Sequence, residues 1–521
     1  MPVNFLSPGA SKLDREMSMP KLPRKFLTFC AAALVIVGVT STVAARTDES
    51  KAEETKAAEA KVEKPKKPSH EVRTAQGMHV QFTQQMGVHD DLELQEYVQR
   101  VGEKLAKASE RPDLEWKFTI VDTDDVNAFA TMGGYVYISR GILPYMQNEA
   151  ELAAVLGHEI GHITAHHAKE RQSKATLAGL ASAATAIFTG QPALADLTNM
   201  AGAAIISGYG REQELEADRL GAEYLAKSGY KPDALIDFIS KMKDQDLFER
   251  ERARIEKREP HLYHGVFASH PDNDTRLRQA VAAAGSVESK ATGEIENTEG
   301  FLKAISGLPV GSSRRQGMVR ENRFYHADYQ LTMAFPKGWQ ILNEPQQMLA
   351  IGPNKEHFME LRAQVPPSDV TDPRAFALRG LANRRLERPE SLEINGLHAW
   401  TAIVRGDGSP YGKFTNVRYV IIYYSNLMWI FKGASRSGTV APSGDPFFLS
   451  AAQTFRRMRA NEFRLAEPYR LHVVRAVEGD TIENLAKNSA IKKYPVQQLR
   501  LFNDLYPKGE PAPGTWIKVV E

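Results

Sequence analysis

Helical periodicity dominates the chain over residues 75–285, where apolar side chains recur every three or four positions. The clearest helical segments are Leu92–Leu105 and Glu151–His167. Between them lie two strand-like segments, Lys117–Val121 and Gly134–Ser139, which are rich in β-branched and aromatic residues. This pattern predicts one α+β domain that is mostly helical.

Residues 321–461 have a different texture, with alternating, aromatic-rich strands broken by turns such as Pro-Lys-Gly and Gly-Asp-Gly. The pattern predicts strands that include Tyr329–Ala334, Trp400–Val404 and Val417–Phe431, and a closing helix over Asp445–Arg457. An α/β domain built on an antiparallel sheet is therefore expected. Its opening YQLTMAFPKGW and its closing TFRRM resemble the PsbP-like fold.

Residues 467–521 form a third unit with the predicted order strand, helix, helix, strand. The first strand covers His472–Val474, and Asp480 or Thr481 caps the helix that follows it. This βααβ order, with Gly-Asp-Thr at the first helix and Pro-Gly before the last strand, resembles the LysM module. The resemblance implies binding of glycans that contain N-acetylglucosamine, such as peptidoglycan. The alternative is a small packing domain that binds no sugar.

The N-terminal segment 1–45 has the features of a secretory signal peptide. Basic residues precede the apolar run Phe26–Val39, and small residues at Val43–Ala45 match the spacing that a signal peptidase reads. The alternative is an uncleaved membrane anchor, but the run is 14 residues long, whereas a span needs about 20. Cleavage predicts a periplasmic or otherwise extracytoplasmic protein.

Two further segments have the composition of linkers. Residues 46–74 are dominated by Ala, Lys, Glu and Pro, which make up 18 of the 29 positions, so they bury too little apolar surface to offset the entropy lost on folding. Residues 286–320 contain Gly, Ser, Thr and Glu with few large apolar residues. The first is predicted to be a disordered charged tether and the second a linker, so the chain is predicted to be multidomain.

Charge and cysteine content exclude several function classes. The 66 Lys and Arg residues nearly balance the 64 Asp and Glu residues, so no field of one sign favours nucleic acid as a partner. The single cysteine, Cys30, excludes an intramolecular disulfide, a thiolate zinc site and an iron–sulfur cluster. Any metal must therefore be held by histidine and carboxylate side chains.

The segment ELAAVLGHEIGHITAHHAKE carries the strongest chemical signal. His158 and His162 are four residues apart on a predicted helix, so both imidazoles face the same side and can share a metal ion. Glu159 lies beside the first of them. A catalytic zinc usually has three protein ligands and one open position for water, so a third ligand must come from another segment.

Glu214 is the best candidate for that third ligand. It lies in YGREQELEADRLGAEYLAKSGY, whose apolar spacing is again helical. Glu214, Asp218 and Gly221 fall on one face of this helix, so Asp218 lies one turn from Glu214 and can accept the free N–H of a ligand histidine. Gly221 permits close approach of another helix. The alternative is an exposed acidic face, which the upstream motif makes the weaker interpretation.

Four motifs in order resemble one family of zinc metallopeptidases. They are NAFATMGGYVYISRGIL, HEIGH, the E-x-x-A-D of Glu214 to Asp218, and SHPDNDTR. The family includes the HtpX quality-control proteases, the CAAX prenyl-protein endopeptidases and a periplasmic protease of outer-membrane assembly. The resemblance covers residues 75–285 and implies a gluzincin-type zincin fold with one Zn²⁺ per chain.

The resemblance also implies roles for individual residues. His158, His162 and Glu214 correspond to zinc ligands, and Glu159 corresponds to the general base. The family casts Asp218 as a proton donor, whereas its spacing favours an orienting role on a ligand histidine, and both interpretations stay open.

Three further histidines need separate interpretations. His270, in Ser-His-Pro, is a candidate either for a donor to the oxyanion or for a fourth ligand that must swing away; the alternative is a helix cap or a packed core residue. His166 lies one turn beyond His162, but a straight helix carries it away from the metal, so a solvated or supporting role is expected. The family usually has Arg there, whereas His167 matches the family.

Two segments near the motif are candidates for contact with substrate. Asn127–Ile138 resembles the family's strand at the rim of the cleft, where an extended peptide can pair by strand addition; an ordinary edge strand is the alternative. Ala175–Gly208 is rich in Ala, Gly and Leu and is expected to form packed helices or a flap over the cleft. A surface for a misfolded client or a membrane edge is the alternative.

The function expected from these features is that of a zinc-dependent metalloendopeptidase of the cell envelope. The resemblance implies misfolded or misassembled envelope proteins as substrates, with peptidoglycan as a further partner of the C-terminal module and peripheral contact with a membrane. One alternative is a chaperone-like or peptidoglycan-binding factor whose zinc site is latent or structural. Another is an enzyme that cuts the peptide cross-links of peptidoglycan.

Overall fold

The computed structural model describes residues 70–167, 209–256, 279, 295–344, 347–438 and 441–521. These residues belong to one unit, Lys67–Glu521. The predicted signal peptide, residues 46–69 of the predicted tether, the predicted flap and His270 lie outside the described residues. Within the part of the chain that is described, no helix is long and apolar enough to cross a membrane.

The first folded region is mostly helical, as the periodicity predicts. Its helices are α1 (His70–Met86), α2 (Leu92–Lys107), α3 (Glu149–Thr164), α4 (Arg211–Lys227) and α5 (Ala234–Ile255), and its strands are β1 (Lys117–Val121), β2 (Ala128–Thr131) and β3 (Tyr135–Ser139). The central strand of this small sheet is β3, which runs parallel to β1 and antiparallel to β2. The predicted strand Lys117–Val121 is confirmed. The segment Asn127–Ile138 folds as a hairpin whose second strand is central and whose first strand, β2, lies at the edge.

Two predicted boundaries in this region are wrong. Helix α1 begins at His70, inside the tether predicted for residues 46–74, because Ala75, Phe82 and Met86 supply an apolar face that is buried. Helix α3 ends at Thr164 and does not reach His167, because His166 has a φ of 61° and a right-handed helix cannot continue through that conformation.

The predicted linker over residues 286–320 is folded in its described part, residues 295–320. It contains helix α6 (Thr298–Ile305) and two short strands, β4 (Pro309–Val310) and β5 (Met318–Arg320). Its large apolar residues are few, but Phe301, Leu302 and Ile305 share one helix face and are buried. This segment is therefore part of the packed structure.

The middle region is built on antiparallel strands, as the alternating pattern predicts, but they form two sheets, one of seven strands and one of four, in place of the single sheet expected. The strand orders are β11-β12-β13-β14-β10-β9-β8 and β15-β7-β6-β5. The elements not yet named are β6 (Arg323–His326), β7 (Leu331–Ala334), β8 (Gln340–Glu344), β9 (Gln347–Ile351), β10 (His357–Gln364), α7 (Pro373–Gly380), β11 (Arg385–Ile394), β12 (Leu397–Ser409), β13 (Gly412–Tyr424), β14 (Leu427–Ser435), α8 (Asp445–Gln453) and β15 (Arg456–Arg457).

Two predicted elements of the middle region are corrected by the structure. The single strand predicted over Val417–Phe431 is a hairpin of β13 and β14, because Ser425 and Asn426 both adopt left-handed conformations and turn the chain. The helix predicted to reach Arg457 ends at Gln453. Beyond it the chain becomes extended, and β15 pairs with β7.

The C-terminal region has the predicted βααβ order. Strand β16 (Tyr469–Arg475) and strand β17 (Trp516–Val520) pair antiparallel, and helices α9 (Ile482–Asn488) and α10 (Pro495–Phe502) lie between them in the sequence. Of the two candidate caps, Thr481 caps α9, because its hydroxyl accepts the backbone N–H of Asn484 at 3.2 Å. The LysM-like identity of this region stays a prediction.

The C-terminal region packs directly against the first region. Strand β16 also pairs with β4, and Phe502 makes an edge-to-face contact with Tyr145 at 5.0 Å between ring centres. Apolar residues of α2, α3, α5, α9, α10 and β17 belong to one continuous core. The C-terminal module is therefore fixed to the helical region and is not joined to it by a free tether.

Lys518 on β17 is the polar centre of this contact. Its side chain is 1% exposed, and its Nζ donates hydrogen bonds to the carbonyl oxygens of Pro144 at 2.8 Å and Met146 at 2.7 Å. Both carbonyls lie just before helix α3. Nearby, the buried carboxylate of Glu151 in that helix pairs with Lys241 Nζ at 2.6 Å. Burial lowers the pKa of Lys518 well below its usual range and raises the pKa of Glu151.

We expect Lys518→Met to lower the free energy of unfolding by about 1–3 kcal/mol, because two buried carbonyl groups lose their donor while the volume of the side chain is kept. The lowered pKa makes the amine easy to bury uncharged, so its removal recovers little desolvation energy. Chemical denaturation measures the change. Lys508→Met, at an exposed lysine of the same module, is the matched control. Equal stability of wild type and Lys518→Met would contradict this role of the amine.

Candidate metal centre

Helix α3 carries the HEIGH motif, and side chains hold its first turn in place. Asn148 caps the helix, because its side-chain oxygen accepts the backbone N–H of Glu151 at 2.9 Å. The carboxylate of Glu149 accepts hydrogen bonds from the hydroxyls of Tyr97 and Tyr230, each at 2.6 Å. Every residue from 150 to 163 is buried. The motif therefore lies on a fixed helix that is enclosed by the rest of the domain.

Helices α3 and α4 approach each other closely because both have small residues at their contact. A Cβ atom built on Gly161 would lie 2.9 Å from the carbonyl oxygen and 3.1 Å from the Cα of Ala217. A Cβ built on Gly221 would lie 3.0 Å from the backbone nitrogen of His158. The neighbouring atoms are backbone atoms that cannot rotate away. The prediction that Gly221 permits close helix approach is confirmed, and Gly161 does the same from the other helix.

This close approach brings His158, His162 and Glu214 together. The two Nε2 atoms are 3.1 Å apart, and the Glu214 carboxylate lies 3.7 Å from His158 Nε2 and 3.8 Å from His162 Nε2. All three residues are buried, with exposed fractions of 3%, 0% and 0%. They form a candidate set of metal ligands within the described residues.

The arrangement of these three side chains fits zinc. Zinc bonds of about 2.0–2.2 Å at tetrahedral angles place neighbouring ligand atoms about 3.4 Å apart. The Nε2–Nε2 distance of 3.1 Å lies just below that value. The distances of 3.7 Å from Glu214 Oε2 to His158 Nε2 and of 3.8 Å from Glu214 Oε1 to His162 Nε2 lie just above it, with a different carboxylate oxygen facing each histidine. Two imidazoles and one carboxylate are also a ligand set that catalytic zinc sites use. These residues are therefore suited to hold a zinc ion and to leave one position for water.

Asp218 lies beside His158, one turn of α4 after Glu214. Its Oδ1 is 2.8 Å from His158 Nδ1, the ring nitrogen on the other side from the one that faces Glu214. A carboxylate in this place favours the proton on Nδ1 and leaves Nε2 available for a metal. The geometry matches the orienting role that the spacing predicts.

The ring of His162 is held by two residues beyond the predicted set. Tyr209 stacks on its face, with ring centres 3.8 Å apart and an interplanar angle of 18°. The Nδ1 of His167 lies 3.0 Å from the Nδ1 of His162. His166 is exposed, which agrees with the expectation of a solvated side chain. The sequence predicted no role for Tyr209, because its contact with His162 depends on how the two helices pack.

Glu159 is buried, with an exposed fraction of 1%. It is adjacent to His158 and three residues before His162, so helical geometry places it next to the ligand face of α3. The three predicted catalytic residues are Glu159, Asp218 and His270, and of these His270 lies outside the described residues. The structure thus brings five of the six predicted site residues into one region.

Comparisons with known proteins agree with this location of the site. Residues 93–284 match the model of Peptidase family M48. The chain is 30% identical to the Beta-barrel assembly-enhancing protease of Escherichia coli (strain K12) over 273 residues, which cover 50% of each chain. It is 32% identical to the Mitochondrial metalloendopeptidase OMA1 of Arabidopsis thaliana over 146 residues, which cover 28% of this chain and 29% of that protein. The chain thus spans about half the length of the Escherichia coli protein that it matches.

A comparison of structures gives a weaker result. The solution structure of cyanobacterial PsbP from Synechocystis sp. PCC 6803 aligns with 26% of this chain and 91% of its own length, at 13% identity and a TM-score of 0.21. Such a score carries no argument about the fold. The PsbP-like character of the middle region therefore stays a prediction.

The contact between α3 and α4 can be tested with Gly161→Ala. We expect it to lower the free energy of unfolding by about 1–3 kcal/mol, because the new Cβ forces the helix backbones apart. We also expect weaker zinc binding, because Glu214 moves away from the two histidines. Denaturation curves and competition with a chelator measure the two effects.

Gly77→Ala is the matched control for this substitution. Gly77 lies in helix α1, and a Cβ there would meet nothing within 4 Å. That change should be neutral or stabilising, because alanine favours a helix more than glycine does. Equal zinc affinity in wild type and Gly161→Ala would show that the site does not depend on the close helix contact.

The chemistry of the site and the comparisons concern the same part of the chain. The matched range contains both helices that carry the candidate ligands. The ligand set, its burial and its position on α3 and α4 agree with a metallopeptidase. Residues 93–284 therefore combine a match to peptidase family M48 with the candidate ligand set of a metallopeptidase.

Proposed function

We propose that this protein is a zinc-dependent metalloendopeptidase of the cell envelope that hydrolyses misfolded or misassembled proteins. The observation that carries the proposal is the convergence of His158, His162 and Glu214 at 3.1–3.8 Å, with Glu159 on the same helix as the two histidines. A purely structural zinc site has no use for a carboxylate beside the ligands. A zinc peptidase of this type requires such a carboxylate as the general base that activates water.

His158, His162 and Glu214 would hold the zinc ion in this proposal. When bound, zinc lowers the pKa of a coordinated water and polarises a carbonyl group. Glu159 takes the proton from the attacking water and returns it to the leaving amine. Asp218 accepts a hydrogen bond from the Nδ1–H of His158 and keeps that ring in the orientation that ligation needs.

Two further parts of the active site belong to the proposal. His270 serves either as a donor to the oxyanion or as a fourth ligand that must move before substrate binds, and its Ser-His-Pro sequence supports a place near the site. Strand β2 is one of the two edge strands of the small sheet among the described residues, which supports pairing with an extended substrate. Pairing through backbone groups would make cleavage tolerant of sequence.

The cellular setting rests on the N-terminal sequence and on the relatives. The basic and apolar pattern of residues 1–45 supports export from the cytoplasm. A relative named for enhancing β-barrel assembly supports envelope proteins as substrates, with peripheral contact at a membrane. The βααβ order of the C-terminal module supports contact with peptidoglycan. In this proposal the fixed position of that module would hold the active site close to the cell wall.

The role of Glu159 is tested by Glu159→Gln. We expect this variant to retain one zinc per chain and to lose about 10²–10⁴-fold in the rate of peptide hydrolysis, the range for a positioned general base. Elemental analysis and cleavage of unfolded casein measure the two properties.

Glu212→Gln, at an exposed carboxylate of α4, is the matched control and should cleave like wild type. Hydrolysis by Glu159→Gln at the wild-type rate would remove Glu159 from the mechanism. Zinc binding without cleavage by wild type would instead support an envelope factor with a structural or latent site. Digestion of purified cell wall in place of casein would indicate a peptidoglycan hydrolase.

Removal of zinc should weaken the fold as well as abolish hydrolysis, because the ligands come from two helices that the ion joins. Free zinc at 100 times its dissociation constant should raise the free energy of unfolding by about 2.7 kcal/mol relative to the chelated protein. Denaturation with and without chelator measures this difference. Identical unfolding midpoints would contradict binding of zinc to the folded state.

A further inference from the structure

The second ligand histidine has a supporting residue of its own, and it is a histidine. The Nδ1 of His162 lies 3.0 Å from the Nδ1 of His167, and both side chains are buried. The Nε2 of His167 lies 3.4 Å from the carboxylate of Glu216 on helix α4. The three side chains therefore form a line that begins at the candidate metal site and ends at a carboxylate.

Binding of a metal through Nε2 would determine how the protons lie along this line. A neutral His162 that offers Nε2 to a metal carries its proton on Nδ1. That proton points to the Nδ1 of His167, which must then accept the hydrogen bond. The remaining proton of His167 lies on Nε2 and points to Glu216. Each donor thus meets an acceptor, and only one arrangement of tautomers satisfies all three groups.

The local backbone explains how His167 reaches this position. On a continuous helix, five residues place His167 about 140° around the axis from His162, and the side chains do not meet. Helix α3 ends at Thr164, and the left-handed φ of 61° at His166 takes the chain off the helical path, so that His167 contacts His162. His166 itself is exposed. The unusual conformation at one residue therefore serves the placement of the next.

We propose that His167, supported by Glu216, is a positioning residue that fixes the tautomer and ring orientation of His162 for zinc binding. This inference rests on the function proposed above. In the resulting site each ligand histidine has its own acceptor, Asp218 for His158 and His167 for His162. Glu216 acts on His162 only through the imidazole of His167, and its carboxylate is 51% exposed. Glu216 should therefore contribute less than His167.

The test compares zinc affinity among variants of the full chain. We expect His167→Leu, which lacks the acceptor, to bind zinc about 10–100-fold more weakly than wild type, the usual cost of losing such a partner. His167→Asn keeps an acceptor atom in nearly the same place and should restore most of the affinity. Glu216→Gln should weaken binding less than His167→Leu does. Competition with a chromogenic chelator measures each affinity.

A spectroscopic measurement distinguishes positioning from general stability. Substitution of cobalt for zinc gives a visible spectrum that reports ligand geometry, and this spectrum should change in His167→Leu and return towards wild type in His167→Asn. The matched controls are His166→Asn, which suits the left-handed backbone, and Glu212→Gln. Both should leave the affinity and the spectrum unchanged.

The possible failures are distinguishable. Equal zinc affinity and equal cobalt spectra in wild type and His167→Leu would overturn the inference while the proposed peptidase stands. If His167→Leu does not fold, an affinity of folded His167→Asn ten times weaker than wild type would overturn it, because an acceptor atom at this place would then fail to maintain zinc binding. Absence of zinc from wild type would overturn both the inference and the proposed function. Zinc binding without casein cleavage would overturn the proposed function, while the affinities still test the role of His167.

Discussion

The close contact between helices α3 and α4 is the constraint on which the candidate site depends. Gly161 and Gly221 leave backbone facing backbone, with no space for a methyl group at Gly161. The reach of the Glu214 side chain is limited, so its carboxylate meets the two histidines only if the helices are this close. The same contact places Asp218 against His158. Four predicted site residues thus owe their positions to small residues that carry no chemistry themselves.

The rest of the fold holds helix α3 at its two ends. At its start, Glu149 binds two tyrosines and the carbonyls that precede it bind Lys518 from the C-terminal module. At its end, the left-handed residue His166 takes the chain off the helical path so that His167 meets His162. The helix is therefore fixed by contacts from several regions of the chain, and the C-terminal module is one of them.

Local spacing explains which parts could be predicted from the sequence. His158 and His162 are four residues apart on one helix, so their contact follows from helical geometry. Glu214 and Asp218 are also four residues apart, so they share a helix face for the same reason. Strands such as Lys117–Val121 could be predicted because β-branched and aromatic residues are concentrated in them. Contacts that depend on a single unusual backbone angle could not be found in this way. His167 is the main example, because its position follows from the conformation of His166.

Burial by distant partners explains the predictions that were wrong. The segment 286–320 contains few large apolar residues, yet Phe301 and its neighbours are buried in its described part because the helical region covers them. Lys518, about which the sequence made no prediction, is buried for the same reason, because β17 turns it towards the carbonyls before α3. In both cases the residues that cause the burial are distant in the sequence, so the local pattern of apolar and polar residues does not reveal it.

The central claim is that His158, His162 and Glu214 bind one zinc ion that serves peptide hydrolysis. The most direct measurement is anomalous diffraction at the zinc absorption edge from crystals of the wild-type protein. We expect one peak per chain, in bonding contact with the Nε2 atoms of both histidines and with the Glu214 carboxylate. A site without a peak, or zinc bound only by other residues, would contradict the claim.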